Sequence, residues 1–143
     1  MNTMRSIKLS KPVVACGALA VVAAAVMGGV AVADDSAIKT KAPHAQAAAF
    51  VNTDGTRLHS KGIKSLTHPQ TGVYCVAFDA DTGIVVNRST PVATLHAIPG
   101  TSPWGWTVYA TTTPTSLCGD GELTMYTGSN SGPVDHPFYL VMT

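Results

Sequence analysis

The sequence predicts an all-β fold, a small antiparallel β-sandwich of about eight to nine strands held by one disulfide. Three observations predict it. First, turn residues recur at short intervals from Phe50 onward: Asp54-Gly55, Gly62, Pro69 to Gly72, Asp81 to Gly83, Pro99-Gly100, Pro103, Gly119 to Gly121, Gly128 to Gly132 and Pro137. The four to ten residues between most of these marks suit strands and are short for helices. Second, threonine and serine supply 25 of the 110 residues after Ala33, valine is common and Glu122 is the only glutamate, a composition that favours pleated over helical backbone. Third, apolar residues alternate with period two. Val73, Cys75 and Ala77 share one face of a strand while Tyr74, Val76 and Phe78 share the other.

The first 33 residues stand apart from this pattern. Arg5, Lys8 and Lys11 lead an uncharged run from Val13 to Ala33, which closes on Ala31-Val32-Ala33 before Asp34-Asp35. That is the arrangement of an export signal, with small residues at 31 and 33 to suit the signal peptidase, so residues 1–33 are expected to be a signal peptide and the protein to be secreted. The alternative is an uncleaved N-terminal anchor, since 21 uncharged residues can cross a bilayer core of about 30 Å, although this run is mostly alanine and glycine. Cleavage changes the formal charge from +1 to −2, because six Lys/Arg then face eight Asp/Glu. So low a charge argues against a nucleic-acid binder, and after cleavage no membrane-seated segment is expected.

Residues 34–46 carry Lys39, Lys41 and Pro43 without any helical recurrence of apolar positions, and are expected to be a flexible linker. Residues 47–143 then form the sandwich domain. Strands are expected at Ala47 to Val51, Thr56 to Ser60, Ile63 to His68, Val73 to Phe78, Ile84 to Asn87, Val92 to Ile98, Gly105 to Thr112, Leu123 to Thr127 and Phe138 to Met142. The strand at 73–78 is apolar on both faces, which places it in the middle of a two-layer core. A hairpin turn is expected at Asp81 to Gly83.

Signal cleavage removes Cys16 and leaves Cys75 and Cys118. In an exported chain that pair is expected to be a disulfide, because an oxidising compartment lets it persist. Closing a loop of this length stabilises by roughly 4 kcal/mol on the chain-entropy model. A redox-active pair is not expected, since the two cysteines are far apart in sequence and no Cys-x-x-Cys occurs.

Chemistry-bearing motifs are scarce. His44, His59, His68, His96 and His136 are scattered singly, and the chain holds no His-Glu-x-x-His, no Gly-x-Ser-x-Gly and no phosphate loop. No catalytic residue, metal ligand or cofactor is therefore assigned. Asp79, Asp81, Asp120, Glu122 and Asp135 all lie beside turns; Asp79 to Gly83 faintly resembles the start of a calcium loop, but the twelfth position, where an acid is needed, is Thr90. Asn87-Arg88-Ser89 matches a glycosylation sequon. Trp104, Trp106 and Tyr109 form the one aromatic group and the candidate binding residues. On a strand, Trp104 and Trp106 share a face, and two such indoles make a platform for sugar rings or a partner's side chains. The plainer expectation is that they cap an end of the core, which exposure of both rings would overturn.

Gly72-Val73-Tyr74-Cys75-Val76, then Ser116 to Leu123 around the second cysteine, then Pro137-Phe138-Tyr139-Leu140-Val141 together resemble an uncharacterised family of small exported bacterial β-sandwich proteins. The resemblance takes in most of residues 47–142, including an Asp-Gly-Thr hairpin between Val51 and Gly72. It departs at Met142-Thr143, where Val-Pro or a terminal cysteine is more usual. It implies a fold and a compartment, and it carries over no catalytic residue.

The function expected on these grounds is that of a secreted, non-enzymatic β-sandwich acting by surface binding or adhesion at the cell envelope, with a protein or glycan partner. The alternative is an exported protease inhibitor, with Pro99 to Pro103 as its rigid loop, or a small hydrolase.

Overall fold

The structure, a computed structural model, describes residues 38–102 and 104–143. The expected signal peptide, the first residues of the linker and Pro103 lie outside them. The described residues form β1 (Ile38–Lys39), β2 (Ala47–Val51), β3 (Arg57–Lys61), β4 (Ile63–Gln70), β5 (Val73–Phe78), β6 (Pro91–Leu95), β7 (Trp106–Thr111), β8 (Leu123–Ser129), β9 (Gly132–Pro133) and β10 (Phe138–Met142). One sheet has the order β1-β3-β2-β10-β6, the other β4-β5-β8-β7 with β9 added to β8. Every pairing is antiparallel except the short contact of β1 with β3. The antiparallel sandwich expected from turn spacing and alternation is the fold.

Alternation decides which side chains fill the space between the sheets. Ala47, Ala49 and Val51 of β2 and Phe138, Leu140 and Met142 of β10 face inward from the first sheet. They pack with Leu66, Tyr74, Val76, Leu123 and Met125 of the second, and all are buried. Each large apolar side chain so placed contributes roughly 1.5–3 kcal/mol. Within this core the rings of Phe138 and Tyr74 meet edge to face at 5.1 Å.

β5 lies between β4 and β8 and is covered on its other face as well. The Cys75–Cys118 disulfide, of sequence separation 43, ties the segment after β7 onto that face. Thr124 is wholly buried there, its hydroxyl 3.2 Å from that of Thr115. Prolines inside strands fall where a missing N–H is tolerated: Pro69 in β4 and Pro91 in β6, both edge strands.

The chain passes from one sheet to the other between β3 and β4 through Gly62 alone. Its φ of +66° is a left-handed conformation, and a Cβ there would stand 2.6 Å from Gln46 O. Only glycine makes so sharp a corner under a neighbouring backbone.

Two sequence expectations are corrected. Ile84 to Asn87 is not a strand, and Asp81 to Gly83 is not a hairpin turn. The region holds two 3-10 turns, Ala80–Thr82 and Val86–Arg88, that carry the chain across from β5 in one sheet to β6 in the other. A crossing segment has no neighbour to pair with, so its bonds are local, as in Arg88 N–H to Val85 O at 2.8 Å. Val86 is buried in the core nonetheless and Ile84 packs against it, while Val85 is exposed. β6 also ends at Leu95, short of the expected Ile98. Residues 38–46, within the segment expected to be a linker, lie along the sandwich: Lys61 Nζ donates to Ala42 O and Ala45 O at 3.1 and 2.7 Å, and Gln46 N–H donates to Met142 O at 2.9 Å.

Candidate binding site

The three aromatic residues singled out in the sequence are not brought together. Trp104 lies in a bend ahead of β7 and is 83% exposed. Gly105, with φ +84°, breaks the extended backbone between it and Trp106, so the shared strand face that alternation predicts for the two indoles does not form. Trp106 opens β7 half-buried, its Nε1–H donating to Ser102 O at 2.9 Å and its ring 4.9 Å from that of His136. Trp106 shares the parity of Val108 and Ala110, which pack against the core, whereas Trp104 is in solvent. Tyr109 points out from the opposite face of β7, 59% exposed, and stacks on Tyr126 of β8 at 5.0 Å.

Beside Trp106 the connection from β6 to β7 walls a cleft of about 130 Å³. Its lining includes His96, Ile98, Thr101, Ser102, Trp106 and His136, and among the described residues no Lys, Arg, Asp or Glu takes part. The connection is held in shape by a bond to Pro137 and by its own hydroxyl side chains. His96 N–H donates to Pro137 O at 2.9 Å, Ile98 O accepts from the hydroxyl of Thr101 at 2.7 Å, and Trp104 N–H reaches Ser102 Oγ at 3.4 Å. His136 is buried, and its Nδ1–H donates to Pro137 O at 3.1 Å, so in the neutral ring Nε2 is the acceptor.

Comparison with protein-family models, curated proteins and solved structures returned no match. The site is therefore read from its geometry.

Sequence reasoning missed the aromatics that continue the cleft. His96 stands at its rim and packs against Phe50 and Tyr139 on the outer face of the first sheet, with centroid distances of 4.9 and 5.5 Å. Phe50 and Tyr139 stack on one another at 4.7 Å, and His96 Nδ1 is bonded to the Tyr139 hydroxyl at 3.0 Å. The available sign was parity: Phe50 and Tyr139 sit out of phase with the inward residues of β2 and β10. Cleft and outer-face aromatics form one continuous apolar and aromatic surface with hydroxyl and imidazole groups along it.

Other groupings of reactive side chains serve the scaffold. Asp135 Oδ1 accepts from His68 Nε2–H at 2.8 Å and from Gly72 N–H at 2.6 Å, fastening the segment before β10 to β4 and the β4–β5 turn. His68 stacks on Tyr74 at 4.5 Å, and the Tyr74 hydroxyl donates to Thr53 O at 3.0 Å. Burial, reinforced by the Asp135 carboxylate, pushes the Tyr74 hydroxyl up to about 12. Cys75, Cys118 and Glu122 place donor atoms within 4.8 Å of one another. Both sulfurs are in the disulfide and the carboxylate accepts from Gly119 N–H at 2.7 Å, so this trio anchors a loop.

Proposed function

We propose that the protein is a secreted, non-enzymatic β-sandwich that acts by surface binding or adhesion at the cell envelope, with Trp104 and the cleft lined by Ser102 and Trp106 as its contact surface. The observation that carries this reading is the 83% exposure of Trp104, a large aromatic left in solvent two residues along the chain from Ser102 and from Trp106, both of which line a cleft. Isolated exposed apolar residues are ordinary, but an exposed indole next to a concavity lined by further aromatics is how binding surfaces are built. The Cys75–Cys118 disulfide and the export-signal pattern of residues 1–33 support a location outside the cytoplasm, as does the resemblance to small exported bacterial sandwiches.

The test is sedimentation of purified protein with cell-envelope fractions. Retention of the wild type with loss of retention in Trp104→Ala supports the reading; no retention of the wild type contradicts it. Inhibition of a serine-protease panel instead would favour the inhibitor alternative built on residues 99–103.

A further inference from the structure

The cleft combines features that narrow the chemistry of its ligand. Its described lining carries no Lys, Arg, Asp or Glu, so no permanent charge faces an anionic or cationic group. Desolvating an unpaired charge there would oppose binding. Its volume of about 130 Å³ is below the ~300–1,000 Å³ of pockets that enclose a drug-sized ligand, so it takes one ring and leaves the rest of the ligand on the surface. Along the wall, Ser102 offers its hydroxyl proton, Thr101, whose own O–H is given to Ile98 O, offers an acceptor oxygen, and Nε2 of buried His136 is an acceptor in the neutral ring. Trp104, whose backbone N–H is bonded to Oγ of the lining residue Ser102, leaves a flat apolar ring in solvent next to the lining in the chain, and Phe50 and Tyr139 pack on His96 on the outer face of the first sheet.

We propose that this cleft accepts a ring of a neutral saccharide chain, a deepening that rests on the binding reading above. A pyranose ring has apolar C–H faces that lie on an indole and a rim of hydroxyls that both donate and accept. That matches a wall in which apolar Ile98 and Trp106 alternate with Ser102, Thr101 and His136. A proline-rich segment fills the same space but has neither a side-chain hydroxyl nor a backbone N–H to offer His136, so it is the poorer match. With one ring seated in the cleft, the chain continues over Trp104 or toward Phe50 and Tyr139.

Trp104 and Trp106 are the only tryptophans, so tryptophan fluorescence, excited selectively over tyrosine, reports on this region. The experiment titrates the protein with hexamers of glucose, mannose and N-acetylglucosamine, with an anionic polygalacturonate oligomer and with octaproline, alongside sedimentation with envelope fractions. A saturable emission change with a neutral hexamer is expected, with affinity reduced tenfold or more in Trp104→Ala and threefold or more in Ser102→Ala. Both positions are exposed, and thermal unfolding of each variant checks that the fold is intact. Saturation by octaproline or by the anionic oligomer in place of the neutral hexamers overturns the proposal, as does neutral-sugar binding that Trp104→Ala leaves unchanged. Envelope retention with no hexamer bound overturns this inference alone. Neither retention nor hexamer binding overturns the binding reading with it.

Discussion

The Nδ1 of His96 lies 3.0 Å from the hydroxyl of Tyr139, and that single bond joins the wall of the cleft to the aromatic face of the outer sheet. Tyr139 is fixed by β10, which pairs on both sides with β2 and β6. His96 lies one residue past the end of β6. A rigid sheet thus holds one side of a binding surface whose other side is a loop. Tyr139→Phe removes the bond while keeping the ring, so it is expected to lower ligand affinity two- to fivefold with unfolding free energy changed by about 1 kcal/mol or less. Calorimetric titration and urea unfolding of the same variant check both parts.

The disulfide is the largest single covalent constraint on the sandwich. Replacing Cys75 and Cys118 together by alanine is expected to lower the unfolding free energy by about 4 kcal/mol, the value set by a 43-residue separation. Urea unfolding measures it, and a loss under about 1 kcal/mol would show that the loop after β7 holds its place without the bond.

Gly62 and Gly83 both have positive φ, yet their surroundings differ. A Cβ at Gly62 meets Gln46 O, Thr82 Cγ2 and Ala47 Cβ, whereas at Gly83 it meets nothing within 4 Å. Gly83→Ala is expected to cost only the left-handed backbone penalty of about 1–2 kcal/mol, and Gly62→Ala clearly more. Equal losses in thermal unfolding would contradict the corner role of Gly62.

Alkaline sensitivity should centre on Tyr74. Its hydroxyl titrates near 12 in the folded chain against about 10 when unfolded. The unfolded state therefore loses its proton first as pH rises. Stability from this group is complete below pH 10 and falls between pH 10 and 12. Tyr74→Phe is expected to flatten the urea midpoint over that window relative to wild type, after a fixed offset for the lost bond to Thr53 O. At the acid end, hydrogen bonds from the Thr56 hydroxyl and backbone hold the Asp54 carboxyl below its usual range, so its contribution is lost as pH falls through that lowered value.

Much of the sandwich was legible because alternation is a local signal. Val73 to Phe78 and Phe138 to Met142 each announce two faces, and both are strands with those faces. The misread segment, Ile84 to Asn87, has strand-like residues of which only Val86 is buried, reaching the core from a segment that crosses between sheets, and no local pattern distinguishes that from pairing. The site was less legible. Exposure of Trp104 depends on the positive φ at Gly105, and glycine advertises that freedom without committing to it. The link of Phe50, His96 and Tyr139 depends on β2 and β6 flanking β10, a register set by contacts across the whole chain.

The central claim is that binding runs through the cleft beside Trp104 and not through the separate Tyr109–Tyr126 stack on the other sheet. Both Trp104 and Tyr109 are exposed, so replacing either by alanine is expected to change stability by about 0.5 kcal/mol or less for Trp104 and by about 1 kcal/mol for Tyr109, which loses a stacked neighbour. The most direct measurement is the fraction of each variant retained on cell-envelope fractions beside wild type. Retention abolished in Trp104→Ala and preserved in Tyr109→Ala is the predicted result; retention preserved in Trp104→Ala contradicts it.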